Sequence, residues 1–169
     1  MNKLFYLLVW LTRIHRCRGL GIQSPTDYAF VRYVVNEHWP YYAYDELTDT
    51  DWLTQKLGRL YFRLANWRRP SEMLSDKYRK YWLAGCHYIH FTEQLAKVEL
   101  ARVDIEDYKS LLCLCDDSSV LVVEGINRNR DLWQSLLKDD RIGITFDLYY
   151  CGIVFFDNRR YKHHYIINF

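Results

Sequence analysis

The sequence is poor in the residues that break or cross-link a chain, with 3 prolines, 7 glycines and 5 cysteines among 169 residues. Half of the residues are apolar, which argues against a disordered chain. The odd number and low density of the cysteines argue against a disulfide scaffold and favour reduced thiols in a cytoplasmic protein. The chain also lacks a phosphate-binding loop and a glycine-flanked nucleophilic serine.

A long hydrophobic run is absent as well. The apolar stretch from Leu4 to Leu11 is far shorter than the roughly 20 residues that cross a bilayer. Residues 12–16 follow it without a small-residue cleavage site, so we predict neither a membrane span nor a signal peptide. The stretch instead predicts an amphipathic helix that docks on the domain or on a partner. Because arginines flank it, contact with a membrane surface is an alternative.

Charge of one sign is not in excess, since 23 basic residues face 21 acidic ones. A balanced charge does not predict nucleic-acid binding, which requires a localised basic patch. Paired arginines with nearby tyrosines leave it as a weaker alternative. These arginines are Arg13, Arg16, Arg18, Arg68, Arg69, Arg128, Arg130, Arg159 and Arg160.

What the sequence does contain is a helical first half and a second half of mixed character. Ser24 and Pro25 predict the start of one helix, and helical spacing of leucines predicts a longer one from Asp51 to Pro70. We therefore expect residues 1–70 to form a helical extension packed on an α/β core of residues 71–169, in one compact domain. Apolar runs predict strands at 71–74, 88–91, 101–105, 119–123, 142–149, 153–156 and 164–169, with Gly152 in a turn. Helices are predicted at 93–99, 107–115 and 129–138.

Three stretches resemble one family, the bacterial class I S-adenosylmethionine-dependent methyltransferases that carry an N-terminal helical extension. The stretches are residues 21–25 with Tyr28, Phe30 and 41–44, residues 60–67 with Pro70, and residues 117–169. The resemblance implies an α/β fold with a reduced Rossmann-like sheet. In that sheet, parallel strands are joined by a C-terminal antiparallel strand group and preceded by N-terminal helices.

The chain departs from this family where the cofactor would bind. The family's first strand leads into an acidic residue and a glycine-rich turn, whereas here Met73 and Leu74 lead into Ser75-Asp76-Lys77-Tyr78-Arg79. Bulky side chains therefore occupy the place that glycine leaves open. Residues 75–118 number only 44, and each βαβ unit takes about 30. At least one strand and its helix are therefore expected to be missing.

A further departure follows the clearest strand, where the family carries paired acidic residues. This chain has Glu124-Gly125-Ile126-Asn127, and so only one carboxylate. We predict a non-catalytic methyltransferase-like protein, a pseudoenzyme or interaction module, with no catalytic residue and no cofactor. The alternative is an active methyltransferase that uses S-adenosylmethionine, or another small-molecule enzyme, in the altered cleft.

In open α/β sheets, ligands bind beyond the carboxyl ends of the strands. The candidates for a vestigial cleft are therefore Ser75, Asp76, Glu93, Glu124 and Asn127. We expect aromatic side chains, among them Tyr78, Tyr81 and Trp82, to have filled the place of the cofactor. Cys86, His87 and His90 do not share one face of a strand, so no metal site is predicted. A shortened sheet with an uncovered edge also suggests a homodimer or another protein partner.

Overall fold

The computed structural model describes the backbone of residues 3–169 and the side chains of residues 5–169; the side chain of Leu4, in the predicted first helix, lies outside this range. The helices are α1 (Lys3–Thr12), α2 (Pro25–Phe30), α3 (Ala43–Glu46), α4 (Trp52–Arg68), α5 (Arg79–Gly85), α6 (Lys109–Leu112) and α7 (Arg130–Leu137). A 3-10 turn covers Ile14–Gly19 and a π-helical turn covers Val31–Val35. The strands are β1 (Glu72–Leu74), β2 (His90–Thr92), β3 (Leu100–Asp104), β4 (Val120–Glu124), β5 (Ile144–Asp147), β6 (Cys151–Phe155) and β7 (His163–Ile166).

The N-terminal helices begin where their capping residues stand. The Ser24 side chain accepts a hydrogen bond from the backbone N–H of Asp27, and Pro25 occupies the first turn of α2. Asp51 caps α4 in the same way, with its Oδ2 at 2.9 Å from the backbone N of Thr54. These predicted helix starts are confirmed. None of the helices described between residues 3 and 169 is long and apolar enough to cross a membrane.

The strands form one mixed sheet and one small parallel pair. The five-stranded sheet has the order β3-β4-β6-β5-β7, in which β6 runs antiparallel to both of its neighbours. The pairs β3–β4 and β5–β7 are parallel. Strands β1 and β2 pair in parallel, and β1 lies beside β3. The chain is therefore a mixed α/β protein with parallel strands and an antiparallel strand near its C-terminus.

Helices cover both faces of the sheet, as the alternation along β4 shows. Val120 and Val122 pack into a core shared with α4, α5 and the π-helical turn. Leu121 and Val123 point to the other face, where they pack with α6 and α7. A strand buried on both faces has no polar side to show water, which explains why β4 is a continuous apolar run.

Two predicted helices differ from the structure. Residues 93–99 are not helical: the Thr92 hydroxyl accepts a hydrogen bond from the Gln94 N–H and donates one to the Gln94 carbonyl, a local pattern that competes with a helix. The predicted helix at 107–115 is reduced to α6. The chain turns there because the Leu114 carbonyl accepts a hydrogen bond from the N–H of Val98, before β3.

The predicted turn at Gly152 is also wrong, because this residue lies inside β6. The turn lies instead at Tyr149, in the left-handed region with φ of 75°, where its N–H donates to the Asp147 carboxylate at 2.8 Å. A Cβ on Gly152 would lie 2.2 Å from the ring of Trp133, which is fully buried. The glycine therefore makes room for an indole rather than for a turn.

Candidate functional site

The five sequence-predicted site residues lie after the strands, but the structure brings only two of them together. Asp76 follows β1 and Glu124 ends β4, and both contact Tyr78. Ser75 and Glu93 are exposed and Asn127 is half-buried. Among the described side chains, these last three take part in no hydrogen bond. The candidate site is thus the neighbourhood of Asp76 and Glu124.

The Asp76 carboxylate accepts hydrogen bonds from helix α5 and from the residue just before it. Its Oδ1 accepts hydrogen bonds from the Tyr78 N–H at 2.8 Å and from the Trp82 indole N–H at 3.0 Å. Burial raises the pKa of the Asp76 carboxyl, although these donors oppose the rise. The carboxylate therefore positions the start of α5 and the indole of Trp82.

Glu124 is surrounded by four donors. Its Oε1 accepts from Lys77 Nζ at 3.1 Å and from the Tyr78 hydroxyl at 3.4 Å. Its Oε2 accepts from the Tyr61 hydroxyl at 3.1 Å and from Arg102 Nε at 2.8 Å. A carboxylate has about four acceptor sites. Glu124 is 8% exposed, and its hydrogen-bonding capacity is used within the protein.

A second carboxylate lies beside Glu124, and the sequence analysis missed it. Asp104 is the register partner of Glu124 on the parallel strand β3. Arg102 donates to both oxygens of Asp104, at 3.0 and 2.9 Å, and its guanidinium also pairs with Glu124. Burial lowers the pKa of Arg102, but the hydrogen bond and charge of Glu124 outweigh it and hold the guanidinium charged. Arg102 thus neutralises Glu124 and Asp104, two neighbouring carboxylates of the kind that bind a metal cation in other proteins.

Aromatic side chains fill the space beside these charges. Tyr78, Tyr81 and Trp82 are at most 1% exposed, which confirms that they pack into the core. The Trp82 ring stacks on Tyr61, with centroids 4.8 Å apart and planes 11° apart. The Tyr81 ring lies against α4 at Gly58, where a Cβ would be 2.4 Å from it. Helices α4 and α5 therefore pack closely against each other.

The acid–base properties of this cluster do not favour proton transfer near neutral pH. Burial, and then the charge of Glu124, raise the pKa of the Tyr78 hydroxyl. Burial also raises the pKa of the Tyr61 hydroxyl and of the Cys151 thiol, which is opposite Glu124 in β6. These three groups remain protonated at neutral pH. Neutral and buried, these three side chains are typical of a protein core rather than of a site that exchanges protons.

The other sequence constellations contribute no ligand set. In the part of the chain that the structure describes, no three histidine, cysteine or acidic side chains group as metal ligands. All five cysteines lie in that part and are free thiols. Many of the clustered arginines bind within the protein. Such contacts join Arg68 to the Ser118 carbonyl, Arg128 to Asp104, Arg159 to Asp157, and Arg160 to Asp27.

Arg13 and Arg130 meet at a buried aspartate that fastens the N-terminal segment to the sheet. Arg13 Nη1 lies 3.0 Å from Asp147 Oδ1, and Arg130 Nη1 lies 2.6 Å from Oδ2. Burial alone raises the pKa of Asp147, but the charges of the two arginines outweigh it and leave the pKa below its usual value. Asp147 therefore stabilises the fold as an anion.

We expect the Asp147→Asn variant to be less stable than the wild type by about 2 kcal/mol at pH 7, because it loses charge-assisted hydrogen bonds. A carboxyl whose pKa is lower in the folded state stabilises the protein above its unfolded pKa, about 3.9, and loses this effect as the pH falls through the folded pKa. The unfolding free energies of the wild type and the variant should therefore converge as the pH falls. Urea unfolding across this pH range measures the difference, and a gap that is constant with pH would contradict the ionic explanation.

No family model, curated protein sequence or solved structure matches this chain.

Proposed function

We propose that this chain is a non-catalytic relative of the class I methyltransferases, kept as a stable α/β module that binds no S-adenosylmethionine. The observation that carries the proposal is that the Glu124 carboxylate is already hydrogen-bonded on all sides by the protein. Its four internal donors leave it no acceptor site for a ribose or a substrate hydroxyl. The methyltransferase-like ends of the sequence and the missing glycine turn support the same conclusion.

The arrangement of the strands also supports a reduced Rossmann-like sheet. Between β1 and β4 lie two strands, β2 and β3, with helices of only 7 and 4 residues. This supports the sequence argument that residues 75–118 are too short and that at least one strand and its helix are missing. Antiparallel β6 supplies the C-terminal strand group that the resemblance implies. The five free thiols support a cytoplasmic location.

Calorimetric titration with S-adenosylmethionine and with S-adenosylhomocysteine tests the proposal. We expect no binding heat at millimolar ligand from protein whose fold is verified by circular dichroism. Backbone amide NMR spectra should likewise stay unchanged around Asp76, Tyr78 and Glu124. Binding in the micromolar range, with shifts at these amides, would overturn the proposal in favour of an active methyltransferase.

The homodimer stays a prediction, and α1 is the surface that supports it. Leu7, Leu8 and Leu11 are 52%, 53% and 47% exposed, so one apolar side of this helix faces solvent. A second copy of the chain would cover it if α1 packed against its own symmetry mate. Light scattering should then give the mass of a dimer. A strict monomer at high concentration would contradict it.

A further inference from the structure

A cleft of about 650 Å³ lies on the other side of α4 from the Glu124 cluster, between α4, the 3-10 turn and the segment after the π-helical turn. We call it the Lys56 cleft and define it by Asn36, Trp39, Trp52, Lys56 and Arg59. Its volume is in the range of small-molecule sites, about 300–1,000 Å³. None of the five sequence-predicted site residues lines it.

None of the four cations that line the Lys56 cleft has an anionic partner among the described residues; they are Arg18, Lys56, Arg59 and Arg63. The Lys56 ammonium lies 4.7 Å from the ring centroid of Trp52 and 4.6 Å from that of Phe169. The Arg59 guanidinium lies 4.8 Å from the ring centroid of Tyr44. Arg13 and Arg102, by contrast, pair with Asp147 and Glu124. Arg63, which lines the same cleft, donates to the Val34 and Val35 carbonyls. Lys56 and Arg59 instead rest on aromatic rings and leave their donors to the cleft.

The cleft also holds hydrogen-bond donors that the protein does not satisfy. Asn36 is only 7% exposed, and its Nδ2 has no acceptor among the described residues. The buried Nε of Arg59 lacks one as well. Leaving a buried donor unpaired costs about 1–3 kcal/mol, and most proteins avoid it. Both atoms are buried in the wall of the cleft, so they mark a wall whose donors are not fully satisfied rather than a point that a ligand touches.

The electrostatic environment of the cleft is positive. Burial lowers the pKa of His38, and the charges of Arg63, Arg18, Arg32 and Lys56 lower it further. Burial, followed by the charge of Arg63, lowers the pKa of Lys56 to about 8.

Two acidic residues, Glu37 and Asp45, also line the cleft. The Glu37 carboxylate already accepts a hydrogen bond from a tyrosine of the protein. The Tyr41 hydroxyl donates to Glu37 at 2.8 Å. Against these, Arg18, Lys56, Arg59 and Arg63 supply four cations. An anion that enters would therefore relieve repulsion among the basic groups.

The walls of the cleft are aromatic. Three of the six tryptophans line it, and Trp10, Trp39 and Trp52 are 40%, 71% and 44% exposed. Such exposure of tryptophan contrasts with Trp82 and Trp133, which are fully buried in the two cores. Exposed indoles provide flat surfaces on which a planar ring stacks. The cleft thus combines ring-stacking walls with positive charge and unused donors.

We propose that the Lys56 cleft binds a small organic anion that carries a planar ring, with its phosphate or carboxylate on Lys56 and Arg59 and its ring on the exposed tryptophans. This site is independent of the vestigial cleft and does not require S-adenosylmethionine. A nucleotide and an aromatic carboxylate share the required chemistry.

Four probes separate these requirements: adenosine 5′-monophosphate and indole-3-carboxylate as anions, and adenosine and indole as their neutral counterparts. Calorimetry at pH 7 should show binding of at least one anion, together with quenching of tryptophan fluorescence. The neutral counterpart of that anion should bind at least about tenfold more weakly, since charge-assisted hydrogen bonds are worth this much. Binding of only the phosphate or only the carboxylate supports the proposal and identifies the head group.

Variants locate the binding. Lys56→Met and Arg59→Met should each weaken the binding of the anion about tenfold or more, whereas Lys56→Arg should restore most of it. Lys97→Met is the matched control, because Lys97 pairs with Asp116 at the surface, outside the cleft. Circular dichroism verifies that each variant is folded. The proposal is overturned if neither anion binds, if the neutral probes bind equally well, or if the two methionine variants bind as the control does.

Discussion

Replacement of Glu124 by alanine is expected to lower the free energy of unfolding by about 3–5 kcal/mol, because a buried ion pair loses one partner. The side chains of Glu124 and Arg102 are 11% and 10% exposed, so water cannot replace the lost carboxylate fully. The Tyr61 hydroxyl, also buried, loses its acceptor at the same time. Urea unfolding followed by circular dichroism gives the change.

Two further variants separate charge from packing. Glu124→Gln keeps the shape and one acceptor oxygen, so the loss should be smaller than in the alanine variant. Lys97→Met removes an ion pair in which both side chains are about half exposed, 51% and 49%, and should leave the midpoint of unfolding unchanged. An alanine variant as stable as the wild type would show that Asp104 alone compensates Arg102. It would also remove the basis for treating Glu124 as a saturated structural anion.

Replacement of Trp82 by alanine is expected to cost about 3–5 kcal/mol, since it opens a cavity where the indole packs. Trp82 is fully buried, stacks on Tyr61, and donates its indole N–H to Asp76 at 3.0 Å. Trp82→Phe retains much of the volume but not the N–H, and so measures the hydrogen bond separately. Thermal and urea unfolding provide the comparison.

Trp39→Ala is the matched control for this experiment. It removes the same side chain from a position that is 71% exposed, where truncation should change stability by no more than about 0.5 kcal/mol. Trp82→Ala and Trp39→Ala should therefore differ by several kcal/mol. Equal stability of the two variants would mean that α5 is not packed against α4 through Trp82.

Local sequence features predicted much of the helical half and the buried strand. Ser24, Pro25 and Asp51 mark helix starts because their side chains or ring geometry satisfy the first turn without help from the rest of the chain. The continuous apolar run of β4 predicted a buried strand because a strand covered on both faces has no polar side. The helix predicted at residues 93–99 was wrong because Leu95 and Val98, which are both buried, are spaced three residues apart, as on one face of a helix.

The candidate site was only half predictable for a similar reason. Asp76 follows β1 and Glu124 ends β4, so their place at the carboxyl ends of two strands followed from the order of elements. Arg102 and Asp104 gave a weak signal, two charged residues at alternate positions of a buried strand. Their role depends on the register between β3 and β4, which puts Asp104 opposite Glu124. Register is a non-local property that no single segment carries.

The sequence by itself determined that residues 75–79 contain no glycine and that the segment 75–118 numbers only 44 residues, because both follow from reading and counting residues. Only the tertiary structure decided which contacts the side chains of this segment make. It placed Tyr78, Tyr81 and Trp82 against α4, satisfied Glu124 from three other elements, and left Lys56 and Arg59 facing a cleft without an ion-pair partner among the described residues. These outcomes depend on which distant side chains meet, and burial makes an unpaired charge costly.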